Sequence, residues 1–348
     1  MRALVLTRQG TPVAGNVQLQ TDWPEPPAPA AGEVQVRTEA SAFNHMDLWV
    51  GKGLPGHELD YPRVGGADGC GIVEAVGEGV SDAWIGTRVM VNAAIEVPPS
   101  PKPSDPPATT LAPAYQLLGE TRNGMHLERF NCPATNVARL DDANDPEQAA
   151  GFALTMLTAY SMLRTKADLR PGQSVLITGI GGGVATSALA IAKHLGCPVC
   201  VTSRHQWKLD RALELGADHA VLDEGNDWSR DVRGWTGKRG VDIAVDSAGK
   251  ATHLWCIKAL ARGGAYVTPG ATSGPDATTD LARIFWNQLR ILGSTMGSAH
   301  EFQEVASLFR AGQLAPIIDT VYTPEDATKA YERLEAGEQF GKLVIRWS

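Results

Sequence analysis

Residues 174–196 read SVLITGIGGGVATSALAIAKHLG. The apolar run SVLITG reads as a strand, and it enters a turn holding Gly179, Gly181, Gly182 and Gly183. A helical pattern comes immediately after. Strand, glycine turn and helix in this order form a phosphate cradle. The glycines let the backbone turn tightly and approach a pyrophosphate, and the free N–H groups of the helix start face its charge. Val184 stands where the last glycine of a strict G-x-G-x-x-G would fall, so taken alone the turn leaves a purely structural glycine loop open.

The downstream elements narrow the choice. PVCVTS, HAVL, VDIAVDS and GAYVTPG are short apolar runs, each separated from the next by a helical stretch. Such alternation predicts a parallel sheet with helices on both faces, an α/β doubly wound fold. Upstream, VQVRTEASAF, GCGIVEAVG and TRVMVNAAI are strand signals bounded by turns, with a change to helical spacing near Pro146. The end of the chain carries a helix, PEDATKAYERLEAG, and a last strand, KLVIRW, expected to return to the first domain. We therefore expect a mainly β domain from 1–140 with 318–348, and a nucleotide-binding domain at 141–317. The proline-rich segment 97–113 reads as an extended surface loop.

The second strand of the nucleotide unit ends VTSRHQWK, residues 201–208. A site for NAD places an Asp or Glu near this strand end to hold the ribose 2′-hydroxyl. Here no acid precedes Asp210, and Ser203, Arg204 and Lys208 stand in its place. A hydroxyl and two cations suit a 2′-phosphate. Cations are disfavoured at a helix N-terminus, so their presence calls for a partner. The expected cofactor is NADP(H).

Composition excludes other classes. Lys and Arg number 31 against 39 Asp and Glu, a formal net charge of −8, which argues against general affinity for nucleic acid or an anionic membrane. No apolar run is long enough to span a bilayer, and MRALVLTRQG reads as a first strand rather than a signal peptide. Five cysteines point to a reducing cytoplasm rather than a disulfide framework. Cys197 and Cys200 form a lone CxxC and read as strand residues.

Together, SAFNHMDLWVGKGLP, GADGCGIVEAVGEGV, LTAYSML, LRPGQSVLITGIGGGVA, RALELGADHAV, RGVDIAVDSAG, ILGSTMGS and QFGKLVI carry a resemblance over nearly the whole chain. The sequence resembles the medium-chain dehydrogenase/reductase superfamily, in its quinone oxidoreductase and zinc-type alcohol-dehydrogenase-like branch. The resemblance implies a GroES-like catalytic domain built from both chain ends, a Rossmann domain inserted between them, and a cofactor in the cleft. It assigns to the cofactor Asn44, His45, Thr158, Val184, Gly270, Ala271, Ser294 and Thr295, besides the four glycines and Ser203, Arg204 and Lys208.

Zinc members of the superfamily bind catalytic metal through a Cys, a His in a Gly-His-Glu context and a second Cys. The matching positions here are Asn44, Gly66-Ala67-Asp68 and the neighbourhood of Leu154. None supplies a good zinc ligand, and a zinc site needs at least three protein ligands. The four-cysteine structural lobe is absent, with the proline-rich loop in its place. Gly56-His57-Glu58 spells the motif about ten residues early, without a partner Cys. The metal expectation is none.

Without a metal nothing lowers the pKa of a plain alcohol, so the expected reaction is hydride transfer from NADPH to a quinone or an α,β-unsaturated carbonyl. Asn44 is the candidate for placing the nicotinamide and polarising substrate, and a turn-capping Asn is the alternative. Thr158 matches a residue that packs on the nicotinamide in relatives, or is a buried helix Thr. His45 and Asp47 bind pyrophosphate, hold the loop, or are purely structural. Met46 stands where zinc relatives carry a proton-relaying hydroxyl. RILGSTMGS reads as the edge strand of the parallel sheet, which predicts a homodimer paired through residues 290–298. Two other readings stay open: a zinc-dependent alcohol dehydrogenase with atypical ligands, and a non-catalytic NADPH-binding protein.

Overall fold

The computed structural model describes the chain apart from residues 55, 57, 97–108, 113–114 and 348. Most of the proline-rich segment, and His57 of the Gly-His-Glu spelling, lie outside the described residues. The chain forms two compact units, Met1–Leu154 with Ser298–Ser348, and Thr155–Gly297.

The second unit holds a six-stranded sheet in the spatial order His219–Leu222, Val199–Ser203, Val175–Ile177, Val241–Val245, Leu260–Thr268, Arg290–Gly293. Every pair in it is parallel. Chain order starts in the middle, runs to one edge, then crosses to the other half, so the switch point lies beside Val175–Ile177. That strand is buried along its whole length, as a central parallel strand covered on both faces must be. Helix Gly183–His194 buries Ala185, Ala188, Leu189 and Ala192, the i, i+3, i+4, i+7 spacing that sequence periodicity anticipates. Trp228, Val232, Cys256, Ile257 and Tyr266 pack a core between helices and sheet. Trp228 is 1% exposed, and truncating it to alanine would cost about 3–5 kcal/mol.

The first unit is organised by strand Glu33–Ala42. Its side chains alternate between half-buried and buried from Glu33 to Ala40. It pairs antiparallel with Asp68–Val76, Arg129–Pro133 and the final strand Lys342–Arg346. Its registers with two of these strands place the polar residues at its end. Ala42 stands opposite Val344 on one side and opposite Asp68 on the other. Continued two residues past Ala42, the antiparallel register brings Asn44 level with Lys342. The chain's two ends thus meet over one short stretch, and Phe43 N donates to Leu343 O at 2.9 Å.

The boundaries expected at 140/141 and 317/318 differ from those of the compact units. Helix Pro146–Tyr160 begins in the first unit: Glu147 pairs with Arg346, and the Phe152 ring lies 4.8 Å from that of Phe309. Helix Ala299–Arg310 also belongs there, with Gln303 Nε2 donating to Val137 O. Sequence texture marks where periodicity changes, whereas the unit boundary depends on which face of each helix finds a partner. A π-helical turn, Ser161–Lys166, continues helix Pro146–Tyr160. No described helix is long and apolar enough to cross a membrane.

Candidate functional site

In the first unit four positions distant in sequence form one buried polar cluster. Lys342 Nζ donates to Asn44 Oδ1 at 2.6 Å and to Asp68 Oδ2 at 2.8 Å. Asn44 Nδ2 donates to the same Asp68 oxygen at 2.9 Å, and the Leu154 backbone N–H donates to Asp68 Oδ1 at 2.7 Å. Asn44 is 5% exposed, Asp68 0% and Lys342 3%. The Asn44 amide is therefore oriented from both sides, its oxygen toward a cation and its nitrogen toward a carboxylate. One N–H of its NH2 group and one of the ammonium's three N–H bonds have no acceptor among the described residues.

A second layer holds this cluster. Asp47 Oδ2 accepts from the Asn44 N–H and Asp47 Oδ1 from the Gly66 N–H, both at 2.8 Å, tying the start of helix His45–Lys52 to the loop before strand Asp68–Val76. Burial pushes the Asp47 carboxyl up to about 6, against the pull of those N–H groups and Lys342. The His126 ring packs on Gly65-Gly66. At Gly66, φ +94°, a Cβ would fall 2.7 Å from that ring, so both backbone conformation and space require glycine. His126 Nδ1 and Ser41 Oγ share a 2.8 Å hydrogen bond, and Trp347 Nε1 donates to the same hydroxyl. Burial drives the His126 imidazolium down to about 3, with Asp68 opposing and Lys342 assisting.

Asn44, Ala67 and Leu154 are the positions that resemblance equates with zinc ligands, and Asp68 directly follows the second of them. The residues do not fit that metal. A carboxamide oxygen already bound to an ammonium, an alanine methyl and a leucine side chain do not make three zinc ligands, and the Lys342 cation beside Asn44 repels a second one. Among the described residues no group of three His, Cys, Asp or Glu could hold a metal. Cys197 and Cys200 are free and buried, and burial pushes the Cys200 thiol up to about 12.

The second unit brings its site residues to the carboxyl edge of the parallel sheet, where α/β folds hold ligands. Gly182 caps helix Gly183–His194, and the first turn leaves N–H groups without a helical partner. A Cβ on Gly179 or Gly182 would meet nothing within 4 Å, so the cradle is open where a phosphate would lie. Gly179 and Gly181 have φ +61° and +118°, the left-handed region that favours glycine. A Cβ on Gly181 would come 2.8 Å from Lys208 Cδ, which places the Lys208 stem against the glycine turn. Ser203 ends its strand, with its hydroxyl accepting from His205 N at 3.1 Å, and Arg204 is exposed just after it. These features fit a dinucleotide.

Thr158 Oγ1 donates to Met296 Sδ at 3.8 Å, which brings helix Pro146–Tyr160 to the segment after the edge strand. Ser294 N–H donates to Thr268 O, and Ser294 Oγ is buried with no hydrogen-bond partner among the described residues. Gly270 and Ala271 lie just past strand Leu260–Thr268, with Thr268 Oγ1 donating to Gly270 O at 2.7 Å, and Thr295 is exposed. Asn44 and His45 stand in the first unit, His45 as the exposed first residue of its helix. Lys342 was missed by sequence reasoning, although QFGKLVI contains it. The only signal is a lysine opening the terminal strand ahead of the apolar run Leu343–Ile345.

Comparison with known proteins agrees with this architecture. The alcohol dehydrogenase GroES-like domain family matches residues 30–142, and the zinc-binding dehydrogenase family matches residues 183–311. A zinc-type alcohol dehydrogenase-like protein of Schizosaccharomyces pombe is 30% identical, covering 90% of this chain and 91% of its own. A crotonyl-CoA carboxylase/reductase of Cereibacter sphaeroides is 26% identical over 94% of this chain and 84% of its own. A solved structure described as an NAD-dependent alcohol dehydrogenase superposes with TM-score 0.93, at 38% identity over 100% of both chains. The chain belongs to the medium-chain dehydrogenase/reductase superfamily, with a GroES-like domain and a Rossmann-type parallel sheet.

Proposed function

We propose that the protein is an NADPH-dependent oxidoreductase that reduces a quinone or an α,β-unsaturated carbonyl without a metal. The observation that carries this reading is the Lys342 ammonium held on Asn44 and Asp68, where Asn44 takes the place of a zinc-ligand Cys and Ala67 that of the ligand His. A bound nicotinamide cofactor supplies hydride, and the chain's residues supply binding and orientation. The glycine turn and the first N–H groups of helix Gly183–His194 take the pyrophosphate. Ser203, Arg204 and Lys208 take the 2′-phosphate. Thr158, with Ser294 and Thr295, borders the nicotinamide, and Asn44 is the candidate for polarising the substrate. The solved relative described as NAD-dependent argues the other way on cofactor choice, and Arg204 is the residue that decides it.

The names of the relatives favour a zinc-dependent alcohol dehydrogenase as the second reading, and the donor set around Lys342 opposes it. The test is a screen of NADPH and NADH consumption against quinones, enones, aldehydes and, in the oxidising direction, alcohols. Turnover of a quinone or enone with NADPH is expected. Turnover confined to alcohols and aldehydes with NADH would sink the proposal.

We also propose a homodimer through the edge strand Arg290–Gly293. One side of that strand pairs with Leu260–Thr268, and beside it Leu281, Phe285 and Trp286 are about 70% exposed. An open edge next to an apolar patch suits pairing with a second copy about a twofold axis. Light scattering should give twice the chain mass, and Trp286→Glu should shift it toward monomer. The buried free cysteines suit a reducing cytoplasm.

A further inference from the structure

A buried ammonium is costly, and where packing alone matters an apolar residue of the same length serves as well or better. Lys342 nonetheless carries one at 3% exposure, in the first unit's polar cluster. Its two hydrogen bonds, at 2.6 and 2.8 Å, hold it on Asn44 and Asp68 and leave its third N–H without a protein acceptor among the described residues. The Asp68 carboxylate pairs with that ammonium through one oxygen, and its second oxygen is fixed by the Leu154 N–H. The cation's position is thus set by groups from three separate parts of the chain, an arrangement suited to stabilising charge without reorganisation.

We propose that Lys342 is the electrophilic group of the reduction. Its third N–H donates to the carbonyl oxygen of a conjugated acceptor and holds the oxyanion that forms there. The assignment rests on the reductase reading above. Hydride arrives at the β-carbon of the acceptor. The carbon–carbon π pair shifts to the α-carbon–carbonyl bond, and the carbonyl π pair comes to rest on oxygen as an enolate. The acceptor gains two electrons and the nicotinamide loses two. A proton from water then ends on the α-carbon, the electron pair returns to the carbonyl, and Lys342 keeps its own proton throughout. Asn44, oriented by the same ammonium, adds its free N–H to that oxygen. The site does with a fixed organic cation what a Lewis-acid metal does elsewhere.

The test uses 4-nitrophenol, whose colour reports its ionisation, bound to the full chain without turnover. A phenol whose oxygen meets an ammonium is held as phenolate, so its apparent pKa on the protein should fall by about one unit or more, a tenfold shift in ionisation. Lys342→Arg should keep most of that shift. The double variant Lys342→Met with Asp68→Asn removes both charges of the ion pair together and should abolish the shift. In the same double variant, kcat for enone reduction should fall about a hundredfold or more while the Kd for NADPH stays within about twofold. Absence of nitrophenolate binding to the parent would overturn the proposal. So would a shift that survives in a folded double variant, or a double variant whose main defect is tenfold weaker NADPH binding. A Lys342-dependent phenolate shift in a protein that reduces no acceptor would uphold the oxyanion site and overturn the reductase reading instead.

Discussion

The glycine turn at 179–184 and the cluster around Lys342 are built over different ranges of sequence. In the turn, strand, glycines and helix are consecutive, and their order alone states what the backbone does. In the cluster, Asn44 meets a lysine 298 positions away, and the link is the register of two antiparallel strands. The turn presents backbone N–H groups, which any sequence with permissive dihedrals supplies. The cluster presents one side-chain charge, which a single substitution removes. Local motifs are therefore robust signals of fold, whereas a cluster such as that around Lys342 is visible only once strands are paired.

The largest expected effect breaks the cluster alone. Lys342→Met leaves Asp68 buried without its ion partner, and the loss in unfolding free energy should be about 3–5 kcal/mol. Adding Asp68→Asn should recover most of that loss, read by chemical denaturation of the two variants side by side. If Lys342→Met unfolds at the parent's denaturant midpoint, the pair does not bear on stability.

Arg204→Ala probes the nucleotide side. NADPH affinity should fall by about 1.5–3 kcal/mol and NADH affinity should hold, as fluorescence titration would read. Equal loss for both cofactors would place Arg204 elsewhere than on a 2′-phosphate.

Acid should act on the first unit through His126. Its folded pKa, about 3, lies below the ordinary 6.5, so between those values the unfolded chain binds a proton that the fold refuses. Stability from this group is whole above about pH 6.5 and is lost as pH falls toward 3. Asp47 acts oppositely: its carboxyl is raised from 3.8 to about 6, so acidification from 6 to 4 favours the folded state. The His126 shift is the larger and begins at higher pH. His126→Gln should remove on the order of 2 kcal/mol of the stability lost between pH 7 and 5, and a slope unchanged by the substitution would count against it.

The smallest stability effect carries a large functional one. Gly182 has an ordinary φ of −78° and open space about a built Cβ, and the unfolded-state gain of Gly182→Ala is offset by the poor capping of alanine, so stability should change by less than about 1 kcal/mol. Cofactor affinity should nonetheless drop about tenfold, because the methyl group would stand where a pyrophosphate approaches. Gly181→Ala, at φ +118° and against Lys208, should lose stability as well. Calorimetry with and without NADPH separates the two, and unchanged affinity in Gly182→Ala would remove the turn from the cofactor site.

Legibility in the sequence divides along the same line. SVLITGIGGGVATSALAIAKHLG and the strand–helix series after it specify the parallel sheet, because each element declares itself through its own periodicity. The unit boundaries were not legible. Glu147, Leu154 and Gln303 lie on helices that look alike in sequence, and only their partners Arg346, Asp68 and Val137 assign them to the first unit. Asn44 was legible through its motif, but its orientation was not, since that depends on Lys342.

Elemental analysis of the purified protein, with activity measured on the same sample before and after a chelator, addresses the central claim most directly. A site organised around the Lys342 cation predicts far less than one zinc per chain and NADPH-dependent reduction of an enone or quinone that the chelator leaves unchanged. One zinc per chain, with turnover that the chelator abolishes and zinc restores, would contradict it.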